Sequence, residues 1–221
     1  MSFLAYIPAR KNSQRLKNKN IKKIGGKPLI VHTLEAARKS KFIKHIYISS
    51  DSPIIKKICI TNNFNFSSYR NKKYASSKTS MYNLIKFENK KILNKKFKFK
   101  YLVLLQPTSP LRSFKDIDKA CFSILKNKDI DCLVSTTKAN KNSDQLKIMY
   151  SNGKLLSFKK KKNFSTPRLR NGPSILIVKK NKLKKFLIGG KILDFKMGRN
   201  KSIDINTIKD FNMVKRIYEK K

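Results

Sequence analysis

The amino-acid sequence predicts an α/β protein built on a doubly wound, mainly parallel sheet with a small inserted β-ribbon. Three observations carry that prediction. Short strand-like runs alternate with segments of helical periodicity through most of the chain, the βαβα order that parallel sheets require. The run Lys100–Gln106 (KYLVLLQ) is apolar on both faces, as a central strand covered by helices on both sides should be. The alternation then breaks once, between about Ala139 and Pro167, where two short strand-like pieces flank a turn signal.

In chain order, Phe3–Pro8 reads as a buried opening strand, and Pro28–Lys39 as a helix with Leu29, Ile30, Leu34 and Ala37 along one face. His45–Ser50 is a second strand. Asp51 or Ser52 can cap the following helix, which Pro53 opens at its first turn. A short strand near Asn65–Tyr69 precedes a helix from about Thr79 to Leu93, with Leu84, Ile85 and Ile92 turned inward. After Lys100–Gln106 come a helix over Asp116–Lys126 and a strand over Asp131–Thr136. Lys147–Tyr150 and Lys154–Phe158 flank Ser151-Asn152-Gly153 and form the ribbon. Ser174–Lys179 returns to the sheet, and a helix from about Asn206 to Glu219 closes the chain. No internal repeat is visible.

A chain of 221 residues suits one domain with a continuous core. No apolar run approaches the roughly 18 residues needed to span a bilayer, and the start lacks the order of a signal peptide, so a soluble, cytoplasmic protein is expected. Cys59, Cys121 and Cys132 lie far apart with no metal-ligand spacing, and read as reduced core thiols. The formal net charge of +42 attracts polyanions and makes a basic nucleic-acid-binding protein the main non-enzymatic alternative. The lysines are nevertheless spread over almost every segment, with Lys159–Lys162 the longest run, which is the pattern of a solvated surface and argues against a specific nucleic-acid partner. With only 12 Asp and Glu, each carboxylate at a defined place becomes informative.

In an open α/β sheet the ligand sits beyond the carboxyl ends of the strands, so the loops after each strand are the ones to read. After the first strand, Pro8 to Asn20 combines cations with small hydrogen-bonding residues, a composition suited to a triphosphate because Arg grips phosphate oxygens bidentately and Lys places a point charge. In so basic a chain a merely solvated loop fits equally well. Neither a P-loop nor a G-x-G-x-x-G fingerprint is present. After the central strand, Gln106-Pro107-Thr108-Ser109-Pro110-Leu111-Arg112 has a backbone fixed by two prolines, and Gln106 offers donor and acceptors to a base or sugar. Near the end, Ser202-Ile203-Asp204-Ile205-Asn206 puts Asp204 and Asn206 on one face of an extended segment, where two oxygen-bearing side chains suit Mg²⁺; they equally suit a cap on the last helix. His32 and His45 fall in helix and strand patterns and read as structural.

These blocks, with Gly26-Lys27-Pro28-Leu29-Ile30, Ser50-Asp51 and Arg170-Asn171-Gly172, occur in the order and spacing of the acylneuraminate (sialic acid) cytidylyltransferases, which the chain resembles over nearly its whole length. The resemblance implies one cytidylyltransferase domain over residues 1–221, with a Rossmann-like sheet of the nucleotide-diphospho-sugar transferase type. It also implies CTP and an acidic sugar as substrates, Mg²⁺ as cofactor, and a homodimer formed through the ribbon at 139–167.

By the same resemblance, Arg10 and Lys19 are the catalytic, phosphate-binding cations, Ala9, Ser13 and Asn20 belong to the nucleotide site, and Ser77 and Ser80 lie in the cytosine-contacting loop. Gln106 stands between nucleotide and sugar. Lys147 and Asn171 face the sugar, and either Arg168 or Arg170 meets its carboxylate. Asp204, with Asn206, holds the metal. Two departures stand out: many relatives have Asp where this chain has Asn206, and an acid where it has Ser77, so weaker Mg²⁺ binding and altered activity are expected. The implied reaction is in-line attack of the sugar's anomeric hydroxyl on the α-phosphorus of CTP, which needs positioning and charge neutralisation more than covalent catalysis. Another keto-sugar acid of the Kdo type, or a catalytically weakened nucleotide-binding relative, fits the same residues.

Overall fold

The computed structural model describes residues 2–76, 78–94, 97–138, 147–149, 155–157, 168–170 and 174–220. Strand β1 (Phe3–Pro8) is fully buried. It leads through the first loop to a small hairpin, β2 (Lys23–Ile24) and β3 (Lys27–Pro28), then to α1 (Leu29–Lys39), β4 (Ile43–Ser50), α2 (Pro53–Thr61) and β5 (Ser68–Tyr69). Helix α3 (Met81–Asn94), β6 (Tyr101–Leu104), α4 (Phe114–Lys126) and β7 (Cys132–Lys138) continue the alternation. Three short strands follow, β8 (Lys147–Met149), β9 (Leu155–Ser157) and β10 (Arg168–Arg170), then β11 (Leu176–Lys179), β12 (Ile192–Lys196) and α5 (Ile208–Glu219).

The main sheet runs β10-β7-β11-β6-β1-β4-β5, with β12 paired to β7. β1 is parallel to both β4 and β6, whereas β11 is antiparallel to its neighbours β6 and β7. The central strand therefore has one parallel and one antiparallel partner. Sequence pattern did not reveal this, because an apolar run buried on both faces carries no sign of its direction. β12 escaped the sequence reading too, since ILDFK places two charges in a half-buried edge strand. The strand expected near Asn65–Tyr69 shrinks to Ser68–Tyr69. In the inserted region, β8 and β9 pair antiparallel, Lys147 opposite Ser157, while the Ser151–Gly153 turn lies outside the described residues.

Alternate residues of β1 divide the core. Phe3, Ala5 and Ile7 pack with Ile30 and Leu34 of α1, Ile55 of α2 and Ile117 and Ile124 of α4. Leu4 and Tyr6 face Leu84, Ile85 and Ile92 of α3. Helices thus cover both faces, as the doubly wound reading requires. Cys59, Cys121 and Cys132 are buried thiols that form no disulfide among the described residues, and burial pushes the Cys59 thiol up to about 11. His32 Nε2 donates to the Ile24 carbonyl oxygen at 2.9 Å, and His45 stacks on Phe97. No described helix is long and apolar enough to cross a membrane.

A third, smaller cluster positions the site. Leu16 of the first loop, Ile24 of the hairpin, Leu111, Ile205 and Val214 of α5 are buried together, which locks three chain segments that are distant in sequence. The hairpin turns on Gly25 and Gly26, both with positive φ (53° and 75°). A Cβ on Gly25 would also stand 2.2 Å from the Tyr218 ring, so α5 can dock there only over glycine.

Candidate active site

The carboxyl ends of β1 and β6 open onto a polar cleft of about 390 Å³. Toward β6 it is lined by Gln106, Pro107 and Thr108 and by Asp204 and Asn206, with Arg15 and Lys19 bonded to that segment. Toward β5 it is lined by Arg70, Tyr74, Ser76, Thr79, Met81 and Leu84, and Arg10, Ser13 and Asn20 of the β1 loop complete it.

The first loop is held by its backbone. Ala9 N–H donates to Ser49 O at 2.9 Å and Lys11 N–H to Asp51 Oδ1 at 2.7 Å, while the Asn20 amide, itself buried, donates to Arg10 O at 3.0 Å. Asn18 takes a left-handed φ of 56° just before the turn that presents Lys19. A loop tied down at these points presents its cations in fixed positions, unlike a merely solvated segment. Ala9, expected in the nucleotide site, is wholly buried in the core with its N–H bonded to Ser49 O and does not line the cleft; it shapes the loop only.

Lys19 and the Asp204 segment meet directly. Lys19 Nζ donates to Ile205 O at 2.7 Å and approaches Asn206 Oδ1 at 3.4 Å, and Arg15 Nη2 donates to the same Oδ1 at 2.8 Å. The Asn206 amide nitrogen donates to Asp204 Oδ2 at 2.9 Å. This network fixes the amide orientation, because the reverse would set NH₂ against two cations and oxygen against oxygen. Asp204 Oδ1 is buried without a hydrogen-bond partner among the described residues. Burial lowers the Lys19 ammonium below the ordinary lysine value, and Asp204 opposes that shift. The last helix has its own cap: Thr207 and Asp210 form a reciprocal capping box. Neither Asp204 nor Asn206 caps it, which removes the alternative role considered for them.

The loop after β6 is rigid for a different reason. Arg112 is only 2% exposed and donates to Ser174 O at 2.7 Å, Gln106 O at 3.4 Å and Thr33 Oγ1 at 2.9 Å. Burial pulls its guanidinium down to about 9, so it remains charged at neutral pH. Ile205 N–H donates to Thr108 O at 2.8 Å, joining this loop to the Asp204 segment.

Arg10, Ser13, Lys19, Asn20, Gln106, Asp204 and Asn206 therefore gather at one cleft. Ser80 does not line it; its hydroxyl accepts from Asn83 N–H at 3.1 Å and starts α3. Ser77 and Asn171 lie outside the described residues, and of Lys147, Arg168 and Arg170 only the strand placement is described. Arg70 was missed by the sequence reading. It is 8% exposed, leaves β5 into the cleft wall, and donates from Nε to Ser49 Oγ and from Nη2 to Ser49 O, both at 3.2 Å. The available signal was an arginine just past a short strand in a chain where arginine is rare beside lysine.

Comparison with known proteins fits this geometry. The N-acylneuraminate cytidylyltransferase of Escherichia coli is 30% identical over 99% of this chain, which spans about half (52%) of that relative's length. The post-translational flagellin modification protein B of Campylobacter coli is 29% identical over 99% of this chain and 96% of its own length. In fold, a CMP:2-keto-3-deoxy-manno-octonic acid synthetase structure complexed with CTP superposes with a TM-score of 0.79 over the whole chain and 99% of its own, at 13% identity. The family model described as cytidylyltransferase matches residues 4–216, and the protein belongs to the cytidylyltransferase family.

Proposed function

We propose that the protein transfers CMP from CTP to the anomeric hydroxyl of a nonulosonic, sialic-acid-like sugar acid, releasing pyrophosphate. The observation that carries this reading is the juxtaposition at one cleft end of Arg10 and Lys19 with Asp204, whose Oδ1 has no hydrogen-bond partner among the described residues. The name of the Escherichia coli relative points to the same acceptor class.

Arg10 and Lys19 would neutralise the β- and γ-phosphates as they leave, and the tied first loop keeps both in place before the substrate arrives. Gln106, half-buried at the end of β6, lines the cleft and offers hydrogen bonds to nucleotide or sugar. Asp204 fits a hard cation as its one protein ligand, because the Asn206 oxygen is already occupied by Arg15 and Lys19. Among the described residues no three His, Cys, Asp or Glu side chains cluster, so phosphate and water oxygens would complete the coordination shell of Mg²⁺. When bound, Mg²⁺ supplies charge neutralisation at the α-phosphate and a lowered pKa for the attacking hydroxyl. Asn206 then serves as a strut that holds two cations and orients Asp204. The sugar site is assigned to Lys147, Arg168 or Arg170, and Asn171 by resemblance alone. The same resemblance supports a cytoplasmic homodimer with the 139–167 ribbon reaching the partner's sugar site. At +42 that dimer should tighten as salt screens self-repulsion, and light scattering that shows a monomer at every ionic strength contradicts it.

The test is pyrophosphate release from CTP and Mg²⁺ with a panel of N-acetylneuraminic, legionaminic, pseudaminic and Kdo acids. Release with one of the nine-carbon acids is expected. Release only with Kdo moves the acceptor to the eight-carbon class, and none with any acid overturns the reading.

A further inference from the structure

Glu88 is fully buried on α3, inside the apolar layer between that helix and strands β1 and β4. Core packing gives no reason for a carboxylate there: an apolar side chain of similar volume would cost less, because a buried charge must recover its lost hydration through hydrogen bonds. Both its oxygens do so. Tyr6 Oη donates to Oε2, and Ser49 Oγ donates to Oε1 at 2.9 Å.

The two arms lead to different places. Tyr6 is wholly interior, stacked on Tyr47. Ser49 leads to the cleft: once its proton is committed to Glu88, the Ser49 oxygen presents only lone pairs, and Arg70 Nε donates to it at 3.2 Å. We propose that Glu88 is a positioning residue for the base end of the cleft, holding the Arg70 guanidinium against the wall that receives the nucleoside through the Ser49 hydroxyl. The inference rests on the CTP-binding reading above. Without Glu88 the hydroxyl proton has no fixed direction and can turn toward Arg70, and the guanidinium loses its buried counter-charge. Burial raises the Glu88 carboxyl, while the two hydroxyls and Arg70 draw it back toward the charged form in which it accepts both bonds.

The test uses the full chain with CTP, Mg²⁺ and its acceptor. Glu88→Gln and Ser49→Ala should each raise KM for CTP about five- to tenfold with kcat within about twofold, and should shrink the CTP-induced rise in Tm. Combined, they should be no worse than the stronger single variant, because both cut one chain. Tyr6→Phe breaks the other arm and should lower Tm while leaving KM unchanged. An unchanged KM in Ser49→Ala, or in a folded Glu88→Gln, overturns the proposal while wild-type CTP binding still stands. Equal KM rises in Tyr6→Phe and Glu88→Gln overturn it too, by making the carboxylate a general core prop. A wild-type protein that does not bind CTP overturns the functional reading first, and this inference with it.

Discussion

Two loops beyond neighbouring strands each carry basic residues within recognisable motifs, and they use them in opposite ways. In the loop after β1, Lys19 is half-buried at the cleft, donates to a carbonyl and an amide oxygen of the Asp204 segment, and keeps a reduced pKa because burial outweighs the nearby carboxylate. In the loop after β6, Arg112 is sealed from solvent and spends both terminal nitrogens on carbonyls and a hydroxyl of the scaffold, while its Nε has no hydrogen-bond partner among the described residues. The contrast teaches that a motif's cation cannot be assigned to substrate by its presence alone. What decides is whether its donors are already used and whether the group reaches the cleft.

Substitution of each cation should separate the two roles. Lys19→Ala should reduce turnover about 10²–10³-fold with stability within about 1 kcal/mol of wild type, checked by initial rates and chemical denaturation. A comparable loss of stability would merge the two loops into one structural class. Arg112→Met should do the reverse and lower stability by about 3 kcal/mol or more, because it leaves the Ser174 carbonyl and the Thr33 hydroxyl without their buried donor and takes one of several donors from the Gln106 carbonyl. If Arg112→Met melts like wild type, the scaffold role is wrong.

The pH dependence sharpens the same contrast. Since burial lowers the pKa of Lys19, its charge is lost at a lower pH than that of an ordinary lysine, and CTP affinity should fall early on the alkaline side. Lys19→Arg should move that fall to higher pH. Over the same window the ligand-free protein gains slightly in stability, because the unfolded chain holds the proton more tightly than the folded one. An alkaline limb that does not move in Lys19→Arg assigns it to another group. The smallest effect is expected at Asn206→Asp. The new carboxylate would sit between Arg15 and Lys19, so the Mg²⁺ concentration for half-maximal rate should fall only about two- to fivefold. A fall of about tenfold or more would make residue 206 a metal ligand and contradict the strut role.

The same physical logic separates what could be read in the sequence from what could not. Helices were legible because apolar spacing and local caps are sequential, as where Ser52 accepts from Ile55 N–H ahead of Pro53; the Ser113–Asp116 box went unread, so α4 starts at Phe114 and not at the expected Asp116. The gathering of Arg10, Lys19, Gln106 and Asp204 followed from the rule that sites lie beyond strand ends. The direction of β11 was not legible, since Leu176–Lys179 is apolar whichever way it runs. Arg70 was hidden for a related reason, because its place depends on Ser49 and Glu88, which are 21 and 39 residues apart from their partners in the network. The strut role proposed for Asn206 likewise rests on three-dimensional contacts with Arg15 and Lys19 that no sequence pattern shows.

The central claim is that one cleft end takes a triphosphate while the Arg70 end reads the base, and calorimetric titration of CTP, UTP, ATP and GTP against the intact protein in Mg²⁺ tests it most directly. The account predicts that CTP binds at least about tenfold more tightly than the other three, and that Lys19→Ala weakens all four alike. Equal affinities for the four nucleotides, or an unchanged CTP affinity in Lys19→Ala, would contradict it.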